Sequence, residues 1–352
     1  MDLGRSDTIA TLVAPRGQRQ VHDEQLMAAE AIDFAREAAV AFEIGVDACG
    51  TYIETRTGAS IQRVIEAFSR MKYGDLDATR FFAGHVAATA IQDDNFLSFI
   101  KRADGDGRFT YIVSTAMFNV PSASNLLART TADYLNVGLA TKGLPPVIVA
   151  EQTRLSESPL GYARKTVQER ASAPVDGSGG TITIVPEKFR GQCVIFLDDL
   201  FNSGYTANRT KMRLQKVHVA NTFYLFAARV DPRLVAASDG TIEFLLNNVV
   251  IDGSLASVAA MLQRGDFAVV QKLMKITLEP KHTGQLPSFL EEIPTSSILK
   301  LYFAAANNDY RRRYGGQFAP SIAVLEAVLQ DRGALDEAGH VIAAPDGQAA
   351  LR

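Results

Sequence analysis

The run at residues 194–206, Val-Ile-Phe-Leu-Asp-Asp-Leu-Phe-Asn-Ser-Gly-Tyr-Thr, constrains the fold more than any other part of this chain. Four apolar residues without polar alternation fit a strand buried on both faces, the usual state of a strand in a parallel sheet. Open sheets of that kind bind ligands at the carboxyl ends of their strands. Asp198 and Asp199 are therefore expected at a strand tip, followed by a turn through Gly204 and a helix beginning near Tyr205. Such a turn offers backbone N–H groups, hydroxyls and the positive end of a helix to a phosphate. Carboxylates that can hold hydroxyl groups, set beside a phosphate turn, fit a ribose 5-phosphate.

Two other ligand-site readings of the run exist, a Walker B segment and a phospho-acceptor pocket, beside a purely structural one. A Walker B segment also ends an apolar strand in acid, but a P-loop ATPase needs Gly-x-x-x-x-Gly-Lys-Ser/Thr upstream. The nearest approach, Gly138 to Gly143, is followed by Leu144. A purely structural strand and turn is the other reading, and against it stands the mutual repulsion of two adjacent carboxylates.

The surrounding pattern supports an α/β fold. From Thr110 the chain alternates between strand-like and helix-like segments, the sequence sign of a Rossmann-like parallel sheet with crossover helices. Strands are expected at residues 111–115, 147–150, 194–198 and 222–230, and helices at 122–135 and 205–216. Earlier, helices are expected at 24–42, 61–71 and 78–91, with Lys72-Tyr73-Gly74-Asp75 as a break. His85 is read as a residue on a helix beside Phe81 and Val86, without a metal-like partner at i+4. Later, residues 254–275 and 296–306 carry apolar helical faces, and Val249 to Ile251 is a candidate strand. The predicted organisation is a disordered start (1–20), a helical region (21–105), an α/β core (106–231), a helical region (232–331) and a disordered tail (332–352). Within the core, residues 151–190 form a long insertion with a candidate strand at 181–185. Insertions of this length in a compact domain are usually functional or disordered.

Composition narrows the class. A 47% apolar and 21% charged chain of 352 residues is that of a globular protein with a sizeable core. The net charge of −3 gives no electrostatic reason to expect nucleic acid or a membrane surface as partner. Arg311, Arg312 and Arg313 are read as a solvated or intersubunit patch. The two cysteines, Cys49 and Cys193, indicate neither a disulfide framework nor a cysteine zinc site. No apolar secretory core and no membrane span is readable, so a cytoplasmic protein is expected.

The acidic pair and the turn after it resemble the signature of the type I phosphoribosyltransferases. Two shorter stretches, Lys72-Tyr73-Gly74-Asp75 and the Ser-Ala-Ser-Asn-Leu-Leu-Ala of residues 122–128, resemble elements of the ComF-like branch of that family. The resemblance implies a phosphoribosyltransferase core in which Asp198 and Asp199 hold the ribose hydroxyls of phosphoribosyl pyrophosphate (PRPP). Asn202, Ser203, Gly204, Tyr205 and Thr206 would hold the 5′-phosphate, and Ser114 and Thr115 would open a pyrophosphate loop spanning 114–124. Simple helix capping is the competing reading for Ser122 and Ser124. The insertion corresponds to the family's flexible loop, and its Arg164, Lys165 and Arg170 are candidates for the charge of a leaving pyrophosphate.

The implied cofactor is Mg²⁺, carried by substrate and touching Asp198 and Asp199. The implied partners are PRPP, a small-molecule nitrogen acceptor and, for a homodimer, a second copy of the chain. Asn202 stands where the 6-oxopurine enzymes carry an Asp base, and an amide cannot accept that proton. Tyr205 is bulky for its place in the loop. A PRPP- or nucleotide-binding protein without catalysis is the alternative function, and fold alone does not separate the two.

Overall fold

The computed structural model describes residues 32–154, 183–184, 187–238 and 241–342. The expected disordered start, most of the insertion with Arg164, Lys165 and Arg170, and the last ten residues lie outside the described residues.

A six-stranded sheet organises the first two thirds of the chain. Its strands are β1 (Ala38–Val46), β2 (Tyr52–Glu54), β3 (Thr110–Val113), β4 (Ile148–Val149), β7 (Cys193–Phe201) and β8 (Asn221–Val230), in the spatial order β2-β1-β8-β7-β3-β4. All neighbours run parallel except the β1–β2 hairpin. A second, two-stranded antiparallel sheet pairs β5 (Thr153–Arg154) with β6 (Thr183–Ile184), inside the span expected to hold a strand.

The apolar run of β7 behaves as its composition requires. Ile195 and Leu197 point into one core with helices α1 (Gln62–Lys72), α2 (Leu76–Gln92), α3 (Asp94–Gly105) and α4 (Ala123–Thr141). Val194 and Phe196 point to the other face, against Ala207 and Leu214 of α5 (Tyr205–Lys216). All four side chains are fully buried, each contributing about 1.5–3 kcal/mol of transfer free energy. Cys193 is buried beside them, and burial raises its thiol pKa.

After β8 come α6 (Pro232–Ala237) and α7 (Ile242–Asn247), then α8 (Leu255–Arg264), α9 (Gln271–Thr277), α10 (Leu286–Glu291), α11 (Thr295–Asn307) and α12 (Ala319–Asp331). Helices α8 to α12 share a separate apolar core, which also takes in Tyr73 and Val120 from the sheet side.

Three expectations need correction. Over the described part of the helix expected at 24–42, from residue 32, the chain instead makes a turn and then β1, which is bonded to β8 on one side and β2 on the other. Its Ala-Ala-Val-Ala-Phe start has helix-forming composition, but tertiary pairing overrides propensity. Val249 to Ile251 is not a strand, because the N–H groups of Val250 and Ile251 donate to Ser69 Oγ at 3.1 and 3.2 Å. Of the tail expected to be disordered, residues 332–342 are described: Ala334 and Leu335 are buried and Leu335 bridges to Val341. The acidic pair also sits differently from expectation. β7 continues through Asp198 and Asp199 to Phe201, so both carboxylates belong to the strand itself.

Candidate active site

Strands β3 and β7 are parallel neighbours, so the segments after Val113 and Phe201 leave the same edge of the sheet side by side. From β3 the chain crosses outward to β4, and from β7 it crosses outward in the opposite direction to β8. A reversal of this kind opens a crevice at the carboxyl ends of the strands. Here the crevice is a cavity of about 670 Å³, lined by Asp198, Asp199, the turn at 202–206, Thr115, Ser122 and Ser124. Its other wall comes from α7 and α9, with Glu243, Asn247 and Lys272.

The acidic pair is buried, with Asp198 7% and Asp199 6% exposed. Lys72, the last residue of α1, donates to both carboxylate oxygens of Asp199 at 3.0 and 2.8 Å. Its ammonium also lies 3.7 Å from Glu243 Oε1 and 5.7 Å from the Phe68 ring. Burial works against the charge on Lys72, but Asp199 and Glu243 outweigh it and hold the Lys72 pKa above the ordinary lysine value. Asp198 Oδ1 accepts from the Asp199 N–H at 3.0 Å. Burial and the adjacent Asp199 charge raise the Asp198 pKa well above the carboxylate range, against a weaker pull from Lys72. A carboxylate offers about four lone-pair sites, so Lys72 leaves Asp199 acceptors for hydroxyl groups.

The turn after β7 has the form that a phosphate site needs. Gly204 adopts φ 74° at the start of α5, and a Cβ there would stand 2.9 Å from Phe201 Cζ. No side chain caps α5, which leaves its first-turn N–H groups for a ligand. Tyr205 is held by its own helix: Arg209 donates to its hydroxyl at 3.0 Å and lies 5.3 Å from its ring centroid. Arg209 also lines the cavity.

Across the cavity the hydroxyls of Thr115, Ser122 and Ser124 form a triangle with sides of 2.9 to 3.1 Å. Ser122 also caps α4, in a capping box with Asn125. Capping is thus present for Ser122, while Ser124 turns its hydroxyl toward the cluster. Ser114 is 3% exposed, and its carbonyl accepts from Gln152 Nε2; Thr115, not Ser114, lines the cavity.

The Lys72-Tyr73-Gly74-Asp75 stretch joins these parts. Lys72 reaches the acidic pair, and the Tyr73 hydroxyl donates to Asn248 Oδ1 at 2.9 Å. Gly74, at φ 95°, lets its carbonyl accept from Ala268 N–H at 2.9 Å. Asp75 caps α2 through Ala78 N–H and pairs with Arg264 at 2.9 Å. Sequence reasoning singled out this stretch without giving Lys72 a place in the site. It missed Glu243 and Lys272 altogether, since neither sits in a readable motif.

Burial lowers the Lys272 pKa well below that of an ordinary lysine, and the Lys72 ammonium lowers it further. Elsewhere, His85 lies on α2 and packs against the rings of Phe42 and Phe81, which stack on each other. Arg311 pairs with Glu326, Arg312 with Asp309, and Arg313 lies over the Phe118 ring. Among the described residues no group of three or more His, Cys, Asp or Glu side chains is arranged to hold a metal ion. None of the described helices is long and apolar enough to cross a membrane.

A family model described as PRTase ComF-like matches residues 59–323. The chain belongs to this phosphoribosyltransferase family. The match to the ComF-like family spans Lys72, the acidic pair, the turn at 202–206, Glu243 and Lys272. Among solved structures, the chain is similar to the hypoxanthine-guanine phosphoribosyltransferase of L. donovani, at 13% identity over 44% of this chain and 70% of that one, with a TM-score of 0.29. It is similar to the hypoxanthine phosphoribosyltransferase of Trypanosoma cruzi at 12% identity, over 44% of this chain and 78% of that one, with a TM-score of 0.26. A hypothetical protein from Neisseria gonorrhoeae with bound ppGpp is similar at 12% identity, over 45% of this chain and 83% of that one, with a TM-score of 0.22. No curated protein matches the chain.

Proposed function

We propose that this ComF-like protein transfers ribose 5-phosphate from PRPP to a nitrogen acceptor and releases pyrophosphate. The observation that carries the reading is the convergence of the acidic pair, the Gly204 turn and the hydroxyl triangle on one cavity. Asp198 and Asp199 would take the ribose hydroxyls, the 202–206 turn the 5′-phosphate, and Thr115, Ser122 and Ser124 the pyrophosphate side. In the reaction the acceptor nitrogen bonds to C1, the C1–O bond to pyrophosphate breaks with its electron pair leaving on oxygen, and the acceptor N–H proton passes to solvent water. Fixing the sugar at both ends aligns C1 with the nitrogen, and positioning can supply much of the acceleration.

The donor set fits Mg²⁺ carried by substrate. Asp198, Asp199 and Glu243 cluster about Lys72, and burial together with the adjacent Asp199 charge holds the Asp198 pKa up. Mg²⁺ commonly binds through one or two carboxylates together with substrate phosphates. Asp198, which Lys72 does not bond, would be its contact, and the bound ion would offset pyrophosphate charge.

Asn202 favours a second reading, a PRPP- or nucleotide-binding protein without turnover, because it cannot act as a base. Calorimetric titration with PRPP, with and without Mg²⁺, tests the donor. Pyrophosphate release in the presence of nucleobases and amines then separates enzyme from binder. Absence of PRPP binding under both conditions would overturn the ribose assignment. Light scattering of the purified chain checks the homodimer implied by the family.

A further inference from the structure

Lys272 occupies an unusual position for a lysine. Its Nζ is buried and lacks a hydrogen-bond partner among the described residues, although the residue lines the cavity. It sits 4.8 Å from the Tyr73 ring centroid. The neighbouring Gln271 fixes it to the loop that follows β3: its N–H donates to Pro121 O and its Nε2 to Val120 O, both at 2.9 Å. That loop carries the hydroxyl triangle of Thr115 and Ser122 with Ser124. The charged groups facing Lys272 are Lys72 on α1, Asp199 on β7 and Glu243 on α7. Lys72 is already committed to Asp199.

A buried amine without a partner is costly, and leaving it charged beside another ammonium is costlier. A ligand anion removes both costs at once, because it supplies an acceptor and a countercharge. We propose that Lys272, on the α9 wall of the cavity, receives the pyrophosphate group, gaining a proton from solvent as that anion enters. This inference rests on the phosphoribosyl reading above. Its lowered pKa in the free protein leaves room for that gain, since an ordinary lysine is already protonated at neutral pH. The ammonium so formed would stay in place while the C1–O bond breaks, stabilising the charge that develops on the leaving oxygen. The proton returns to solvent when pyrophosphate departs. The same anion chemistry could come from the 5′-phosphate, and the geometry favours pyrophosphate because α9 is tied to the β3 loop.

The test is calorimetry on the full chain with Mg²⁺-pyrophosphate and, separately, ribose 5-phosphate. Buffers of different ionisation enthalpy would be used between neutral pH and the ordinary lysine pKa of about 10.4. Lys272→Gln should remove about one proton of uptake per pyrophosphate and weaken its binding roughly tenfold or more. It should leave ribose 5-phosphate affinity unchanged, which also shows that the variant is folded. Lys272→Arg, always charged, should bind pyrophosphate without that uptake. Proton uptake unaltered in Lys272→Gln, or equal weakening of both ligands, would overturn the inference alone. Failure of the unaltered protein to bind either ligand would overturn the phosphoribosyl reading and this inference with it.

Discussion

Lys72 grips both carboxylate oxygens of Asp199, at 3.0 and 2.8 Å, across 127 positions of sequence. The contact neutralises one of two adjacent buried acids and ties the end of α1 to the strand that carries the site. Removing one partner of a buried pair strands the other charge, at a cost of about 3–5 kcal/mol. Lys72→Met should therefore lower the urea midpoint at neutral pH. Because the folded pKa of Lys72 is raised, its contribution is fully present below the unfolded value of about 10.4 and is lost only as pH rises through the higher folded value. The gap between wild type and variant should stay level from neutral to mildly alkaline pH and close beyond it. An unchanged midpoint at neutral pH would mean that the pair adds nothing to stability.

Asp198 has the opposite sign. Its raised pKa means that the folded state prefers the protonated acid, so stability is greatest in acid and declines as pH rises from about 3.9 through the folded value. Asp198→Asn keeps an oxygen for the Asp199 N–H and removes the charge. It should gain on the order of 1 kcal/mol at neutral pH, gain nothing in acid, and lose PRPP binding. Equal stability at neutral pH in urea melts of the two proteins would refute the electrostatic account.

Gly204→Ala meets two obstacles together. The backbone is left-handed at φ 74°, and the new Cβ would lie 2.9 Å from Phe201 Cζ. The Phe201 ring cannot easily withdraw, since Phe34 and Phe226 pack on it at 4.7 and 5.1 Å. A loss of about 1–3 kcal/mol is expected, together with weaker binding of ribose 5-phosphate. A thermal melt and a ribose 5-phosphate titration check both parts, and full phosphate affinity would argue against the turn as the phosphate site.

Arg164 and Lys165 rest on the sequence alone. If they meet the leaving pyrophosphate, replacing both with Ala should cut turnover more than binding of a ribose 5-phosphate nucleotide. Equal losses in the two assays would remove them from the reaction.

The legible part of this protein is the part written contiguously. The acidic pair and the turn through Thr206 stand within nine positions, 198–206, and the strand before them is an apolar run that only a doubly covered sheet accommodates. Helix α5 falls at the expected residues for the same reason, a glycine turn followed by a polar-rich helix. β1 is hidden because burial on both faces erases the alternation that marks a strand, and what remains is an alanine-rich segment that reads as helix. Lys72, Glu243 and Lys272 are hidden for another reason. Each comes from a different helix, and tertiary packing alone brings Lys72 to Asp199, Glu243 to Lys72, and Lys272 within electrostatic reach of all three. No spacing rule relates residues that meet through tertiary packing.

Gly74 is where that packing can be tested most directly. A Cβ at this position would fall 2.0 Å from Ala268 O, with the backbone at φ 95°, so the segment leading into α9 would have to retreat. That segment is bonded to Gly74 through Ala268 N–H and continues to Gln271 and Lys272. Gly74→Ala should cost about 2–4 kcal/mol and weaken pyrophosphate binding along with stability. Gly58, at φ 71° and with open space where a Cβ would project, supplies the control for backbone strain alone. Gly58→Ala should cost about 1 kcal/mol and leave pyrophosphate binding intact. Chemical denaturation of both variants, paired with pyrophosphate titrations, isolates the contact from the strain. Matching losses in the two proteins would show that the Gly74 approach to Ala268 does not hold the α9 wall in place.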